Sequence, residues 1–598
     1  PCAADDTYDL TKDDCVVDAD DLQALIDFAR GLPEAEFRYL DGERGRWKLG
    51  DSPHSIPVIV EGRNTMYAVD PTYREFLAEL EVNSDAGTSP DIVLVAANDG
   101  MLHAFQLEDD ATTADTEEGE ELWAWMPGYL LEREHDAEWA GRLVDLMLYG
   151  RTFLFDGSPV VEDVWIDADD DGIKDCDSVP DDCEWHRVVV VQQGQGGPVT
   201  MALDITDTND PKFLWEQTDE GDATAMGYTV GRPTVANIYD ASDSDDPGDR
   251  WVAFWGSGRA VPYSEDASYY KTAEANLYMW HVGDDYWETF EVGYQDEDGE
   301  GFPIGDNWHP EQDEYGSSLD GDGDDSGHYE YGYIAAALAV VDVDSDGDAD
   351  TLYFPVTASY SPEDEGGGGY TDPSDPGSTW MYKACLSTTD PDDLTWIEFY
   401  DPLDDGGLAN RSEVYYAATT SWLSDGALGV YWGTGTPYDR ESSDEGYFFA
   451  MKDTAPNSCD DDYMTPITDC GADGVYTLDA GEGLTGDPVV YAGTVYFSTW
   501  VPETDRCDGG TGRLYGLDFE DCDPGMDTDG DGDIDDDDDP YLEEEDSYIS
   551  GVTVSDKGTL FYGSSDSLTD GSGDAVGTID VENDPFLGTQ TMAWMEVF

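Results

Sequence analysis

Short runs of β-branched and aromatic residues, separated by turns rich in Gly, Asp and Pro, fill most of the chain after residue 47. Such runs are typical of a protein built from many short strands. The segment 18–31 has a helical pattern, with an Asp before it and a Gly at its end. Its apolar residues have the spacing of one helix face: Leu22, Leu25, Ile26 and Ala29. We therefore expect a short N-terminal helix followed by sheet.

The strand-like runs recur in a common order, in which a run with a small residue, Pro and Val comes first and a Trp-containing run closes the unit. The first copy comprises the runs 55–60, 92–100, 102–105 and 122–125. Six further, irregular copies begin at residues 157, 231, 336, 417, 486 and 549. These copies predict an all-β fold, an irregular seven-bladed β-propeller with long acidic loop insertions and a short N-terminal helix.

The organisation predicted from this pattern has two parts. Residues 1–46 form an N-terminal helical or linker segment, and residues 47–598 form the propeller domain. A set of β-sandwich domains is the alternative, but no linker-like boundary interrupts residues 50–598. The chain begins with Pro1 and has no signal-peptide pattern, so we expect a processed or truncated product.

Charge excludes several classes of partner. The 598 residues include 139 Asp and Glu against 25 Lys and Arg, which gives a net charge of −114. Nucleic acid and anionic membranes require cationic surface, so neither is expected to bind directly. The 39% hydrophobic content, with 18 Trp and 36 Tyr, is enough for a large core and excludes a wholly disordered acidic chain. The longest apolar run, 333–341, is too short to insert into a membrane.

The nine cysteines indicate an oxidising compartment. Eight of them lie in polar segments without the spacing of a zinc site, which favours disulfides. Connectivity does not follow from sequence, and pairing of neighbours is our working hypothesis: Cys2 with Cys15, Cys176 with Cys183, Cys459 with Cys470, and Cys507 with Cys522. Cys385 lies in the apolar stretch 380–386 and is expected to be a buried thiol.

The pattern Asp-x-Asp-x-Asp-Gly-x-x-Asp occurs three times and predicts calcium loops. Carboxylates at positions 1, 3, 5 and 9 converge on a hard cation, the Gly at position 6 makes the turn, and the carbonyl of position 7 is a ligand. The first loop offers Asp167, Asp169, Asp171, Asp175 and the Ile173 carbonyl. The second offers Asp342, Asp344, Asp346, Asp350 and the Asp348 carbonyl. The third offers Asp527, Asp529, Asp531, Asp535 and the Asp533 carbonyl, with Asp538 as a further ligand at position 12.

Several strings occur in an order that is similar to one known family. They are 47–58 (WKLGDSPHSIPV), 97–105 (ANDGMLHAF), 156–160, 227–233, the Asp342 loop with Leu352-Tyr353, and 488–497. This sequence resembles the C-terminal propeller domain of the PilY family, which comprises type IV pilus tip-associated adhesins and biogenesis factors. The short strings are weak singly, and their collinear order across nearly all of the chain makes the resemblance specific.

The resemblance implies a modified seven-bladed propeller with a calcium loop on one blade, here Asp342–Asp350. It also implies a pilus-tip protein that is exported through the periplasm and outer membrane to the cell surface. Its implied roles are pilus assembly, control of retraction, and adhesion or twitching motility. Minor pilins of the tip complex are the implied partners, together with a surface or glycan adhesion target. The sequence contains no Arg-Gly-Asp tripeptide, so integrin-type host contact is unsupported.

Two alternatives come from other classes of protein. A quinoprotein-like (PQQ) periplasmic dehydrogenase also has a Trp-rich propeller, but the chain lacks the adjacent Cys-Cys pair of such enzymes and has few cations for the quinone. A general extracellular calcium-binding matrix protein is the other alternative. The seven His show no zinc-protease spacing, and His54 and His103 are expected to be buried hydrogen-bonding partners. We therefore expect no enzymatic activity.

Overall fold

The computed structural model describes a little over half of the chain in short stretches, and all structural statements below concern these residues. They are 49–60, 70–85, 89–107, 119–131, 146, 152–167, 174, 176–179, 182–217, 226–240, 248–258, 261–262, 270–271, 276–282, 287–291, 331–359, 376–386, 394–400, 413–435, 446–459, 464–468, 470–471, 473–502, 510–528, 534, 538–554, 559–565 and 576–580. The predicted helix at 18–31 lies outside them. The chain divides into two compact units, which are described separately.

The first unit contains two four-stranded antiparallel sheets, with orders β1-β2-β3-β4 and β10-β9-β8-β5, and the hairpin β6–β7. Its elements are β1 (Val58–Val60), α1 (Pro71–Asp85), β2 (Ile92–Ala97), β3 (Met101–Gln106), β4 (Glu121–Trp125), β5 (Val160–Trp165), β6 (Cys176–Ser178), β7 (Asp182–Cys183), β8 (Trp185–Gln192), β9 (Thr200–Asp204) and β10 (Lys212–Gln217). Inward-facing residues of both sheets, among them Leu94, Val189 and Met201, form one buried core.

Helix α1 was not among the predicted elements. Asp70 caps it, because its Oδ1 accepts the N–H groups of Thr72 (2.8 Å) and Tyr73 (3.3 Å), and Pro71 occupies the first helical position. The face formed by Tyr73, Phe76 and Leu80 is buried. The Tyr73 hydroxyl also donates to Asp163 Oδ2 at 2.8 Å. This bond fixes α1 on β5.

The remaining strands belong mainly to the second unit, apart from the hairpin β13–β14, which belongs to the first. They are β11 (Thr234–Asp240), β12 (Gly248–Gly256), β13 (Val261–Pro262), β14 (Tyr270–Lys271), β15 (Asn276–His281), β16 (Trp287–Glu291), β17 (Tyr331–Tyr333), β18 (Ala339–Val341), β19 (Thr351–Ser359), β20 (Pro376–Cys385), β21 (Thr395–Tyr400), β22 (Thr419–Trp422), β23 (Leu428–Gly433), β24 (Tyr447–Asp453), β25 (Met464–Pro466), β26 (Val475–Thr477), β27 (Gly483–Leu484), β28 (Val489–Tyr491), β29 (Thr494–Val501), β30 (Thr511–Asp518), β31 (Tyr541–Glu545), β32 (Ile549–Val554), β33 (Thr559–Ser564) and β34 (Val576–Asp580).

The second unit builds five successive sheets from these strands. Their orders are β11-β12-β15-β16; β17-β19-β20-β21 with β18 on β19; β22-β23-β24-β25 with β26 on β24; β27-β29-β30-β31 with β28 on β29; and β32-β33-β34. Aromatic side chains join consecutive sheets. Phe448 of β24 stacks on Phe497 of β29, in the next sheet, with ring centroids 4.1 Å apart. Phe497 also stacks on Tyr515 of β30, in its own sheet, at 4.6 Å. Burial of such large rings stabilises the packing of these two sheets.

The all-β prediction is confirmed. Each of the seven predicted units corresponds to one main sheet of three to five strands in the described residues. The predicted closing run 593–595 lies outside them. Closure into seven blades and the domain boundary at residue 46 stay predictions. No helix in the described ranges is long and apolar enough to cross a bilayer.

The disulfide predictions are partly wrong. The Cys176–Cys183 bond is present and links β6 to β7. Cys459, however, pairs with Cys385, and Cys470 pairs with Cys522. Cys385 is therefore not a free thiol. The reason is tertiary, because hydrogen bonds from Lys383 Nζ to the carbonyls of Ala455 and Ser458 hold the segment after β24 against β20. Cys2, Cys15 and Cys507 lie outside the described residues.

Candidate metal centre

The Asp342–Asp350 loop is the connection of a β-hairpin. It joins β18 to β19, whose last paired residues before the loop are Val341 and Thr351. The N–H of Asp350 donates to the Val341 carbonyl at 2.9 Å. Both ends of the loop are thus held by the sheet, so the nine residues between the strands have a defined path.

Backbone N–H groups of this loop donate hydrogen bonds to two of its own carboxylates. The Asp342 side chain accepts the N–H groups of Ser345 at 2.6 Å and of Gly347 at 2.9 Å. Asp350 Oδ2 accepts the N–H of Val343 at 2.7 Å. Ser345 and Gly347 have positive φ angles of 63° and 103°. The glycine at position 6 therefore supplies the turn that the motif requires.

Three of the predicted ligands converge. Oxygen atoms of Asp342, Asp344 and Asp350 all lie within 4.8 Å of one another. Desolvation and the charges of Asp346 and Asp342 raise the pKa of Asp344, and desolvation raises the pKa of Asp350. Like charges at this separation repel, and a divalent cation would relieve the repulsion. An all-oxygen set of this kind fits Ca²⁺ and not a thiolate- or imidazole-binding metal.

Asp346 and Asp348 have other contacts. Asp346 is exposed, and its Oδ1 accepts the N–H of Asp348 at 3.1 Å. Asp348 Oδ1 accepts a hydrogen bond from Asn237 Nδ2. The Asn237 carbonyl also accepts the N–H of Ala349 at 2.7 Å. Asn237 lies on β11, 111 positions from Asp348 in the sequence, and no sequence pattern had pointed to it.

The other two predicted loops are described only at their edges. Of the first, Asp167 is described, while Asp169, Asp171, Ile173 and Asp175 lie outside the described residues. Of the third, Asp527 is described, while Asp529, Asp531, Asp533 and Asp535 are not. Asp538 is buried, and its Oδ1 accepts the N–H of Thr528 at 2.7 Å. Both loops stay predictions.

The two histidines singled out from the sequence are hydrogen-bonded. His103 is 1% exposed, and its ring nitrogens lie 2.6 Å from Glu121 Oε1 and 3.0 Å from Asp99 Oδ1. His54 Nδ1 lies 2.7 Å from Asp156 Oδ2, and its side chain is 21% exposed. The predicted burial therefore holds fully for His103 and partly for His54.

Part of the chain is similar in sequence to known proteins. Residues 49–273 match the PilY1 beta-propeller domain family. The type IV pilus biogenesis factor PilY1 of Pseudomonas aeruginosa (strain UCBPP-PA14) is 29% identical over 245 residues, which are 39% of this chain and 17% of that protein. A PilY1 homolog of Xylella fastidiosa (strain Temecula1) is 27% identical over 245 residues, which are 39% of this chain and 14% of that protein. The aligned regions thus span less than a fifth of these relatives.

A solved structure extends the similarity along the chain. The crystal structure of the Pseudomonas aeruginosa PilY1 C-terminal domain covers 88% of this chain and 100% of that chain, with a TM-score of 0.51 and 17% sequence identity. At this identity the likeness concerns the fold, which is all-β and propeller-type. Together with the family match over residues 49–273, it confirms the resemblance to the PilY family that the sequence strings predict.

Proposed function

We propose that this chain is a calcium-binding, non-enzymatic surface propeller of a type IV pilus system. The single observation that carries the calcium part is the convergence of Asp342, Asp344 and Asp350 in a loop whose ends are held by β18 and β19. The family match supports the pilus part. The disulfides support an oxidising location, which we propose to be the cell surface at the pilus tip, reached through the periplasm and outer membrane.

The loop's residues would have separate roles toward the cation. The carboxylates of Asp342, Asp344 and Asp350 would bind the cation, and the Asp348 carbonyl would be a further oxygen ligand. Bound Ca²⁺ supplies positive charge that offsets the mutual repulsion of these groups. The protein's own contribution is to hold the loop closed through the backbone hydrogen bonds to Asp342 and Asp350. Calcium would thereby stiffen the β18–β19 hairpin.

The proposed biological role is support of pilus assembly and control of retraction, with adhesion or twitching motility as the outcome. The proposed partners are minor pilins of the tip complex and a surface or glycan target. Deletion of the gene, scored by pilus number and twitching, tests this role. We expect both to fall, and complementation with the wild-type chain to restore them.

Two complementing variants separate the calcium part from the pilus part. Asp344→Asn removes a convergent carboxylate, and we expect it to restore pili poorly. Asp473→Asn is the control, because Asp473 is an exposed turn residue whose φ of 58° suits Asn. A deletion strain with normal pili and twitching would contradict the pilus role, whatever the calcium result.

A further inference from the structure

One residue of a neighbouring sheet holds the calcium loop at two points. Asn237 on β11 accepts the N–H of Ala349 through its backbone carbonyl at 2.7 Å. Its side-chain Nδ2 donates to Asp348 Oδ1. Asn237 is 7% exposed, so both bonds form away from bulk water. The segment 348–349 is therefore attached to β11 through its backbone and through a side chain.

The backbone bond fixes the direction of a predicted ligand. The N–H of Ala349 and the carbonyl of Asp348 belong to the same peptide group, which is planar and trans, so they point in opposite directions. Because this N–H points to Asn237, the Asp348 carbonyl points away from β11. Position 7 of the motif, which is Asp348, is the one that ligates through its carbonyl. The contact with Asn237 thus sets the orientation of that carbonyl.

The side-chain bond has a cost that argues for a specific role. Within the described part of the chain, Asn237 Oδ1 has no hydrogen-bond partner although it is buried. A buried amide oxygen without a partner destabilises the fold, and an apolar residue on this strand would avoid the penalty. The amide is therefore best explained by its bond to Asp348, which keeps that residue from rotating.

We propose that Asn237 is a positioning residue for the cation site of the Asp342–Asp350 loop, acting through Asp348. Cation binding in the loop then also strengthens the attachment of the β18–β19 hairpin to β11. This proposal rests on the proposed calcium function and adds a residue to it. Groups that orient metal ligands typically contribute roughly 10- to 100-fold to metal affinity.

The test is calorimetric titration of the full chain with Ca²⁺, in a background that carries Asp169→Asn and Asp529→Asn. This background removes one predicted ligand from each of the other two loops. Asn237→Ala is compared with Asn276→Ala, a matched control. Asn276 is also a buried Asn on a strand of the same sheet, and its hydrogen bonds go to Ser257 and Tyr278. We expect Asn237→Ala to weaken Ca²⁺ affinity about tenfold and Asn276→Ala to leave it within about twofold.

A second comparison separates positioning from general destabilisation. Because Asn237 acts through Asp348, the double variant Asn237→Ala/Asp348→Ala should lose no more affinity than Asn237→Ala alone. The melting temperature without calcium should fall by similar amounts in Asn237→Ala and Asn276→Ala.

The possible outcomes separate the calcium function from the positioning role of Asn237. If the background protein binds no Ca²⁺, the calcium site in the Asp342–Asp350 loop, on which the proposed calcium function rests, is wrong. If it binds Ca²⁺ and Asn237→Ala binds as tightly as Asn276→Ala, the calcium function stands and the role of Asn237 is refuted.

Discussion

At the scale of single residues, His103 shows how this acidic chain uses one of its few cationic groups. Burial alone would lower the pKa of His103, but the hydrogen bonds and charges of Asp99 and Glu121 raise it above its ordinary value of 6.5. Asp99 Oδ2 also accepts the N–H of Gly50 at 2.9 Å. Through these contacts the ring ties β3 to β4 and to the segment before β1.

This geometry predicts a pH dependence. A histidine whose pKa is raised on folding stabilises the protein fully below its unfolded pKa, and the contribution is lost as pH rises through the folded pKa. We expect the free energy of unfolding to fall from about pH 6.5 upward. His103→Gln should remove this slope, as measured by denaturant unfolding at several pH values. An unchanged slope in His103→Gln would contradict the assignment.

The Lys383–Asp453 ion pair predicts a large loss of stability. Lys383 Nζ lies 2.6 Å from Asp453 Oδ2, and both side chains are 1% exposed. Lys383→Met leaves the Asp453 charge buried without its partner, so the free energy of unfolding should fall by about 3–5 kcal/mol. Lys452→Met is the control, because Lys452 pairs with Asp425 near the surface and should contribute about 0–1 kcal/mol. Equal losses in the two variants would argue against burial as the cause.

At the scale of elements, the Cys385–Cys459 disulfide joins the end of β20 to the segment after β24 across a sequence separation of 74. Loop-closure entropy predicts that a bond closing a loop of this length contributes about 4 kcal/mol, against about 2 kcal/mol for the separation of 7 at Cys176–Cys183. In each test variant, both cysteines of one pair are replaced by Ser. Denaturant unfolding should show a larger loss of unfolding free energy for the Cys385/Cys459 variant than for the Cys176/Cys183 variant. A larger loss for the Cys176–Cys183 pair would contradict the ranking.

The elements also show what sequence could predict. Strands were readable because each β-branched run is bounded by turn residues, as in Val188–Val191 of β8. Helix α1 was not predicted, although Asp70-Pro71 and the helical spacing of Tyr73, Phe76 and Leu80 were a usable signal. The disulfides could not be predicted, because their pairing depends on which loops the sheets bring together.

The residues of the candidate site were also only partly predictable from the sequence. The motif gave Asp342, Asp344 and Asp350 directly, since their spacing alone determines that they share a tight loop. Asn237 could not be found, because it lies 111 positions from Asp348 in the sequence and reaches it only through the packing of two neighbouring sheets.

At the scale of the whole molecule, the net charge of −114 predicts a strong dependence on salt. Self-repulsion destabilises a compact state, and its range falls from about 30 Å at 0.01 M ionic strength to about 3 Å at 1 M. In calcium-free buffer, the melting temperature should therefore rise steadily between these two salt concentrations. A neutral osmolyte at matched osmolality is the control. Full stability in low-salt, calcium-free buffer would contradict this prediction.

The measurement that tests the calcium claim most directly is the melting temperature with and without Ca²⁺ at fixed ionic strength. It is made in the Asp169→Asn/Asp529→Asn background, with and without Asp344→Asn. Calcium at ten times its dissociation constant should stabilise the background protein by roughly 1.4 kcal/mol and raise its melting temperature. Asp344→Asn should abolish that increase, whereas Asp473→Asn should retain it. An unchanged melting temperature on adding calcium, or an increase that survives Asp344→Asn, would contradict a calcium site in the Asp342–Asp350 loop.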